Sequence, residues 1–390
     1  MKKRQLIQAL AAAPLAWALP EATAQAAPFR IGLLLPMTGP FASTGKQMEA
    51  AVKLYLKQKG ETVAGRKVEV ILKDDTGVPD VTKRLAQALV VNDKVDVLAG
   101  FGLTPLALAT APIATQAKVP MVNMLAATSS VIQASPYMVR VSMTLPQITL
   151  GVAEWAPKNN IKKVVTLVTD YGPGLDAERT FTDRFTLNGG QVLDSLRVPL
   201  RNPDFSPFLQ KVRDLSPDAL FVFVPSGAGT AVMKQFAERG LAQAGIKLIG
   251  TGEIVDDDLL GSMGDEALGV VSSYPYSTAH NSVLNKKFVA EFKALNGNLR
   301  PNAVAVFAYD GMHLIYEALK KTGGKGGGDA LLAGMKGAIF ESPRGQVLID
   351  ANTRDVVQSV YLRRTERVNG ELYNIEFSEQ KDVRDPARGN

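Results

Sequence analysis

Short β-branched runs alternate with longer helical stretches along this chain, and the whole alternation runs twice. Strands are expected over residues 30–36, 68–72, 95–98 and 120–124, with helices over 45–58, 81–91 and 105–117 between them. In the first helix Met48, Ala51, Val52 and Leu56 fall on one face, the spacing of a 3.6-residue period. A strand, a covering helix and another strand in this order predict a parallel sheet with helices on both faces. The pattern restarts at 163–168. It continues through a helix near 176–187, a strand over 191–198, a helix over 205–215, a strand over 219–224, a helix over 229–239 and a strand over 247–249. Each series is long enough to be a domain of its own.

The last third extends neither series simply. It supplies a strand over 269–276, helices near 283–295 and 303–320, and β-like runs at 346–349, 356–363 and 372–377. The glycine-dense stretch 323–328 reads as an exposed linker rather than a phosphate cradle. Late segments that return to complete both domains would make the chain cross between them more than once. Such crossings form a hinge whose two sides move as bodies. The expected division puts 27–146 with 276–347 in one lobe and 147–275 with 348–390 in the other.

Composition removes several kinds of chemistry. The 390 residues include no cysteine, which excludes disulfide scaffolds, thiolate zinc sites, iron–sulfur clusters and cysteine nucleophiles. His280 and His313 are the two histidines, too few for a multi-histidine metal site. There is no G-x-x-x-x-G-K-[ST], no H-E-x-x-H and no G-x-S-x-G, so neither a cofactor nor catalysis is expected. The formal charge is +6, but the basic residues are scattered without an aromatic-interleaved stripe, and no nucleic-acid partner is expected. Part of the excess lies at Lys2, Lys3 and Arg4, ahead of the apolar run 6–19 and the small-residue choices Ala22-Thr23-Ala24 and Ala24-Gln25-Ala26. That is the layout of a secretory signal peptide over 1–26. No later stretch approaches the ~18 apolar residues of a membrane span. With no cysteine beside the cleavage site, the expected product is exported, soluble and not a lipoprotein.

Open α/β sheets collect ligands beyond the carboxyl ends of their strands, where helix starts expose unpaired N–H groups. In the first series those places are the turn-rich segment 36–45 with Thr44, the segment 100–105 with Thr104 ready to cap a helix ahead of Pro105, and the loop Ala126-Ala127-Thr128. Each hydroxyl is also an ordinary helix cap. Two hydroxyl-bearing helix starts facing each other would suit a carboxylate. The second series offers Tyr171, Ser226 and Glu253 at the equivalent places. Tyr171 could wall a pocket, and Glu253 could pair with an ammonium group. Glu253 together with Asp256, Asp257 and Asp258 also reads as an acid-enriched helix start.

Several stretches together carry a resemblance: IGLLLPMTGP over 31–40, the segment 100–120 ending APIATQAKVP, AATS over 126–129, DYG over 170–172, NPDFS over 202–206 and YDG over 309–311. The chain resembles the leucine/isoleucine/valine-binding family, periplasmic solute-binding proteins of branched-chain amino acid ABC importers. The resemblance implies the type I periplasmic binding fold: two Rossmann-like lobes with parallel central sheets joined by a multi-strand hinge. It implies that the ligand carboxylate is held by Thr104, where a serine is usual, and by Ala126, Ala127 and Thr128. It matches the second-lobe tyrosine to Tyr171 and the acid that takes the ligand ammonium to Glu253. Thr44 stands where some members carry an aromatic contact, and Ser226 where some carry a tyrosine. The expected ligand is a small carboxylate-bearing solute, an amino acid, an amide or an aromatic acid, bound by a monomer and delivered to a membrane ABC permease. A periplasmic sensor partner and a secreted hydrolase or amidase are the alternatives.

Overall fold

The computed structural model describes residues 27–388, and the leader expected over 1–26 lies outside them. The first series consists of β1 (Phe29–Leu35), α1 (Ala42–Lys59), β2 (Thr62–Val63), β3 (Arg66–Asp74), α2 (Pro79–Val91), β4 (Val97–Gly100), α3 (Thr104–Ala117), β5 (Met121–Asn123) and β6 (Met138–Arg140). These strands form one sheet in the order β2-β3-β1-β4-β5-β6. All neighbours are parallel except the β2–β3 hairpin. β1 sits between β3 and β4, and its FRIGLLL run is buried almost throughout, as a central parallel strand covered on both faces requires.

The second series is α4 (Leu145–Lys158), β7 (Lys163–Thr169), α5 (Gly172–Leu187), β8 (Gln191–Val198), α6 (Ser206–Leu215), β9 (Ala219–Phe223), α7 (Gly229–Glu238), β10 (Lys247–Thr251), α8 (Leu260–Met263) and β11 (Val271–Tyr274). The chain then returns to the first half with α9 (Val283–Leu295), α10 (Ala303–Lys321) and α11 (Gly328–Met335). α10 lies against α1, and Tyr55 meets Tyr309 and Tyr316 edge-on at ring-centroid distances of 4.9 and 5.0 Å. Finally β12 (Ile339–Ser342), β13 (Gly345–Ile349), β14 (Val356–Val368) and β15 (Glu371–Val383) join the second sheet. Its order is β12-β13-β14-β11-β10-β9-β7-β8, with β15 on β14. Strands β7 to β11 are parallel, and the late strands enter antiparallel.

Three connections link the halves, at 141–144, 275–282 and 336–338. The third crossing, expected at 347, comes earlier because β12 pairs with β13 and β13 with β14 of the second sheet. Sequence patterning also passed over β6, α4 and α11. α4 carries its own start signal: the Thr144 hydroxyl accepts from the Gln147 N–H while the Gln147 side chain accepts from the Thr144 N–H, a reciprocal capping box. α5 starts at Gly172 instead of near 176, with Pro173 in its first turn.

Each sheet reverses its strand order at one place, β1/β4 in the first and β7/β9 in the second. Loops leaving the carboxyl ends of strands diverge there and leave a crevice. The two crevices face each other across the seam between the halves.

Candidate functional site

A small pocket, partly open to solvent, lies where the crevices meet. Its walls come from both halves: Gly102, Leu103 and Thr104 after β4, Leu125 to Ala127 after β5, Met143 and Leu145 after β6, Tyr171 and Pro173 after β7, Phe223, Pro225 and Ser226 at and after β9, and Glu253 after β10. The halves are in contact around it. Gln47 of α1 donates to Asp258 at 3.1 Å, and Arg201 donates to the Gly77 carbonyl at 2.6 Å.

At the first-half end, Thr104 does not cap α3 as expected. Leu103 occupies the cap position and Thr104 is the first helical residue, so its hydroxyl is not consumed by the helix. It pairs instead with the Thr128 hydroxyl at 2.9 Å, and it accepts weakly from the Thr128 N–H at 3.4 Å. Thr128 likewise makes no side-chain cap for the short 3₁₀ turn Ser129–Ala134 that follows it. Two hydroxyls therefore converge at the start of α3, while the N–H of Ser129, which opens the second turn, is already taken by Asp176 at 2.8 Å. Ala126 and Ala127 present backbone rather than bulk at this end. The arrangement suits an anion.

The opposite end is built around Glu253, on the 3₁₀ turn Gly252–Val255. Its side chain is buried, and Oε2 has no hydrogen-bond partner. Burial pushes this carboxyl up to about 7; the Thr251 hydroxyl, its own backbone N–H and the more distant Arg363 guanidinium pull the other way. Ser226 donates to Asp256 at 3.3 Å, and Asp256 also accepts from the Gly227 N–H at 3.0 Å. Asp256 is buried and held well above the usual carboxylate range, first by desolvation and then by Asp258 and Glu253. Asp256 and Asp257 are thus interior and Asp258 half-buried, with Asp257 3.7 Å from Arg363 and Asp258 bonded to Asn302 at 2.9 Å.

Between the ends the walls are apolar and partly flat. Tyr171 lies nearly parallel to Phe223, with centroids 6.1 Å apart and 18° between planes. Burial, then the neighbouring Glu253, raises the Tyr171 phenol, which stays protonated. Of the residues singled out in the sequence, Thr104, Ala126, Ala127, Tyr171, Ser226 and Glu253 line the cavity. Thr128 stands behind Thr104, and Thr44 is buried in α1 off the cavity wall. Of the apolar wall, the sequence points to Tyr171 but not to Phe223, Met143 or Leu145. Phe223 ends a strand that was expected, but Met143 and Leu145 follow β6, which was not. Among the described residues no group of acids and histidines converges to hold a metal.

A family model described as periplasmic binding protein matches residues 28–370. The chain belongs to that family. A Leu/Ile/Val-binding protein homolog of Brucella abortus is 40% identical over 92% of the chain and 93% of its own length. A solute-binding protein of an ABC transporter from Rhodopseudomonas palustris, solved in complex with 3,4-dihydroxybenzoic acid, is 59% identical with a TM-score of 0.91, covering 92% of this chain and 99% of that one. A second from R. palustris, in complex with 4-hydroxybenzoate, is 39% identical with a TM-score of 0.89, covering 92% and 98%. In a periplasmic binding protein of this fold a cavity between two lobes is the expected ligand site, and here the walls come from six strand ends of both sheets.

Proposed function

We propose that this periplasmic binding protein takes a hydroxylated benzoate as its solute. It is the solute-binding component of an ABC importer. What carries the ligand assignment is the polarity of the cavity: paired hydroxyls and the start of α3 at one end, a buried carboxyl with an unpartnered oxygen at the other, and the Tyr171–Phe223 aromatic wall between. A benzoate carboxylate accepts from the Thr104 side, its ring lies against the apolar wall, and a ring hydroxyl donates to Glu253. The relatives bound to 3,4-dihydroxybenzoic acid and 4-hydroxybenzoate support the same ligand class.

An α-amino acid is the second reading. The Brucella relative's name favours it, and Glu253 would then take the ammonium. The buried Glu253 carboxyl suits either partner, since a phenol can donate to it and an ammonium beside it would favour its ionised form. Titration calorimetry with 3,4-dihydroxybenzoate, 4-hydroxybenzoate, benzoate and leucine separates the two. Binding of the hydroxylated acids is expected, and binding of leucine alone overturns the ligand class.

The same reading has the leader 1–26 deliver an unlipidated monomer to the periplasm, where it passes the solute unchanged to a membrane permease. One lobe comprises 27–140 with 283–335, the other 145–274 with 339–388. Loss of uptake on deletion distinguishes an importer component from a sensor partner, and recovery of intact ligand after incubation argues against a hydrolase.

A further inference from the structure

The loop that brings Ala126 and Ala127 to the cavity is gripped from behind. Arg140, the last residue of β6 and fully buried, donates from Nη1 to the Thr128 carbonyl at 2.7 Å and to the Ala126 carbonyl at 3.3 Å. Its Nη2 reaches the Ser129 carbonyl at 3.2 Å. The same guanidinium is clamped by both oxygens of Asp355, at 2.7 and 2.5 Å, the fork geometry that fixes its plane. Asp355 immediately precedes β14 of the other sheet, and the Arg140 N–H donates to the Arg354 carbonyl at 3.1 Å. Ser129 adds two bonds to second-half carboxylates: its N–H to Asp176 of α5 at 2.8 Å, and its hydroxyl to Asp385 at 2.5 Å.

In a trans peptide the C=O and N–H point in opposite directions. The Ala126 carbonyl turns back to accept from Asn123 Nδ2 at 2.8 Å as well as from Arg140, which turns the Ala127 N–H away from both, toward the cavity that Ala127 lines. The Thr128 carbonyl, held by the same guanidinium, fixes the residue whose hydroxyl meets Thr104. We infer that Arg140, aimed by Asp355 across the hinge, is the positioning residue that sets the 126–129 loop to receive the solute's carboxylate. The loop belongs to the first half, but its shape is completed by Asp176, Asp355 and Asp385 of the second. This inference rests on the reading that a carboxylate occupies the Thr104 end.

Arg140→Lys keeps the charge and loses the fork; Asp355→Asn keeps the shape and loses the aim. Kd is measured for 3,4-dihydroxybenzoate and for 3,4-dihydroxybenzyl alcohol, which presents the same ring without a carboxylate. Wild type is expected to prefer the acid. In both variants the acid should weaken by about tenfold or more while the alcohol changes by less than about threefold, so that the preference collapses. Equal weakening of both ligands, or no weakening, overturns the positioning role. If Arg140→Lys does not fold, Ser129→Ala, which removes only the Asp385 bond, should shift the same ratio in the same direction, and an unmoved ratio counts against the role. Failure of wild type to bind either compound would refute the solute class instead. The same ratio read with leucine and leucinol then decides whether Arg140 positions the loop.

Discussion

The Thr104 and Thr128 hydroxyls bond to each other at 2.9 Å, although they follow different strands and neither caps its own helix. A hydroxyl pair left free of capping is ready to donate to an anion. Thr104→Val keeps the shape and removes the donor, so binding of the carboxylate solute should weaken by roughly 1–3 kcal/mol, between about fivefold and 150-fold in Kd. Thr128→Val should weaken it through its partner. Because the two share one bond, the double variant should lose less than the sum of the singles, which a double-mutant cycle by calorimetry reads directly.

Tyr171 lies nearly parallel to Phe223 on the cavity wall. If a ring occupies the space, Tyr171→Phe preserves the wall and Tyr171→Ala removes it. The alanine variant should lose about tenfold or more in affinity for an aromatic acid, and the phenylalanine variant much less. A loss of similar size in both would mean that the phenol, and not the ring, makes the contact.

How much of this was legible in the sequence follows from where each signal lives. The alternation of strands and helices is a local, periodic signal, and it placed β1, α1, α2, β7 and β9 close to where they lie. Hydroxyls after strand ends pointed to Thr104 and Thr128, but only the packed structure shows that Leu103 takes the cap position and leaves Thr104 free. β6 follows the 3₁₀ turn Ser129–Ala134 rather than a full helix, so the strand–helix alternation does not announce it, and with it went Met143 and Leu145. The third crossing was misplaced because membership in a sheet depends on pairing partners far away in sequence, as β13 with β14 illustrates. Nothing in the run 253–258 distinguishes exposed helix-start acids from interior ones. Their burial is a tertiary fact.

Glu253 makes a pH-dependent prediction with a definite sign. Its folded value of about 7 lies above its ordinary 4.5, so between the two the folded protein keeps a proton that the unfolded chain has released. Its contribution is therefore fully present below about pH 4.5 and is lost as pH rises through 7, by roughly 3 kcal/mol in all. Glu253→Gln does not titrate. Its ligand-free melting temperature relative to wild type should climb between about pH 5 and pH 8; carboxylates that do not face Glu253 cancel in the comparison, while Asp256, which Glu253 helps to hold up, shifts with it. A flat difference would mean that Glu253 is not desolvated.

Gly172 begins α5 in the second half, and an ideal β-carbon placed on it would stand 2.4 Å from the Thr128 hydroxyl oxygen of the first half. Thr128 cannot rotate away without giving up its bond to Thr104. The clash exists only while the halves are together, so Gly172→Ala should act as a wedge in the seam and leave each half intact. Its ligand-free melting temperature should stay near that of wild type, while its affinity for the solute falls by about tenfold or more. Small-angle scattering at saturating ligand should then give a larger radius of gyration than loaded wild type, because the variant binds with the cleft held ajar. Wild-type affinity with full contraction would show that Thr128 yields cheaply and that the seam at Gly172 does not limit closure.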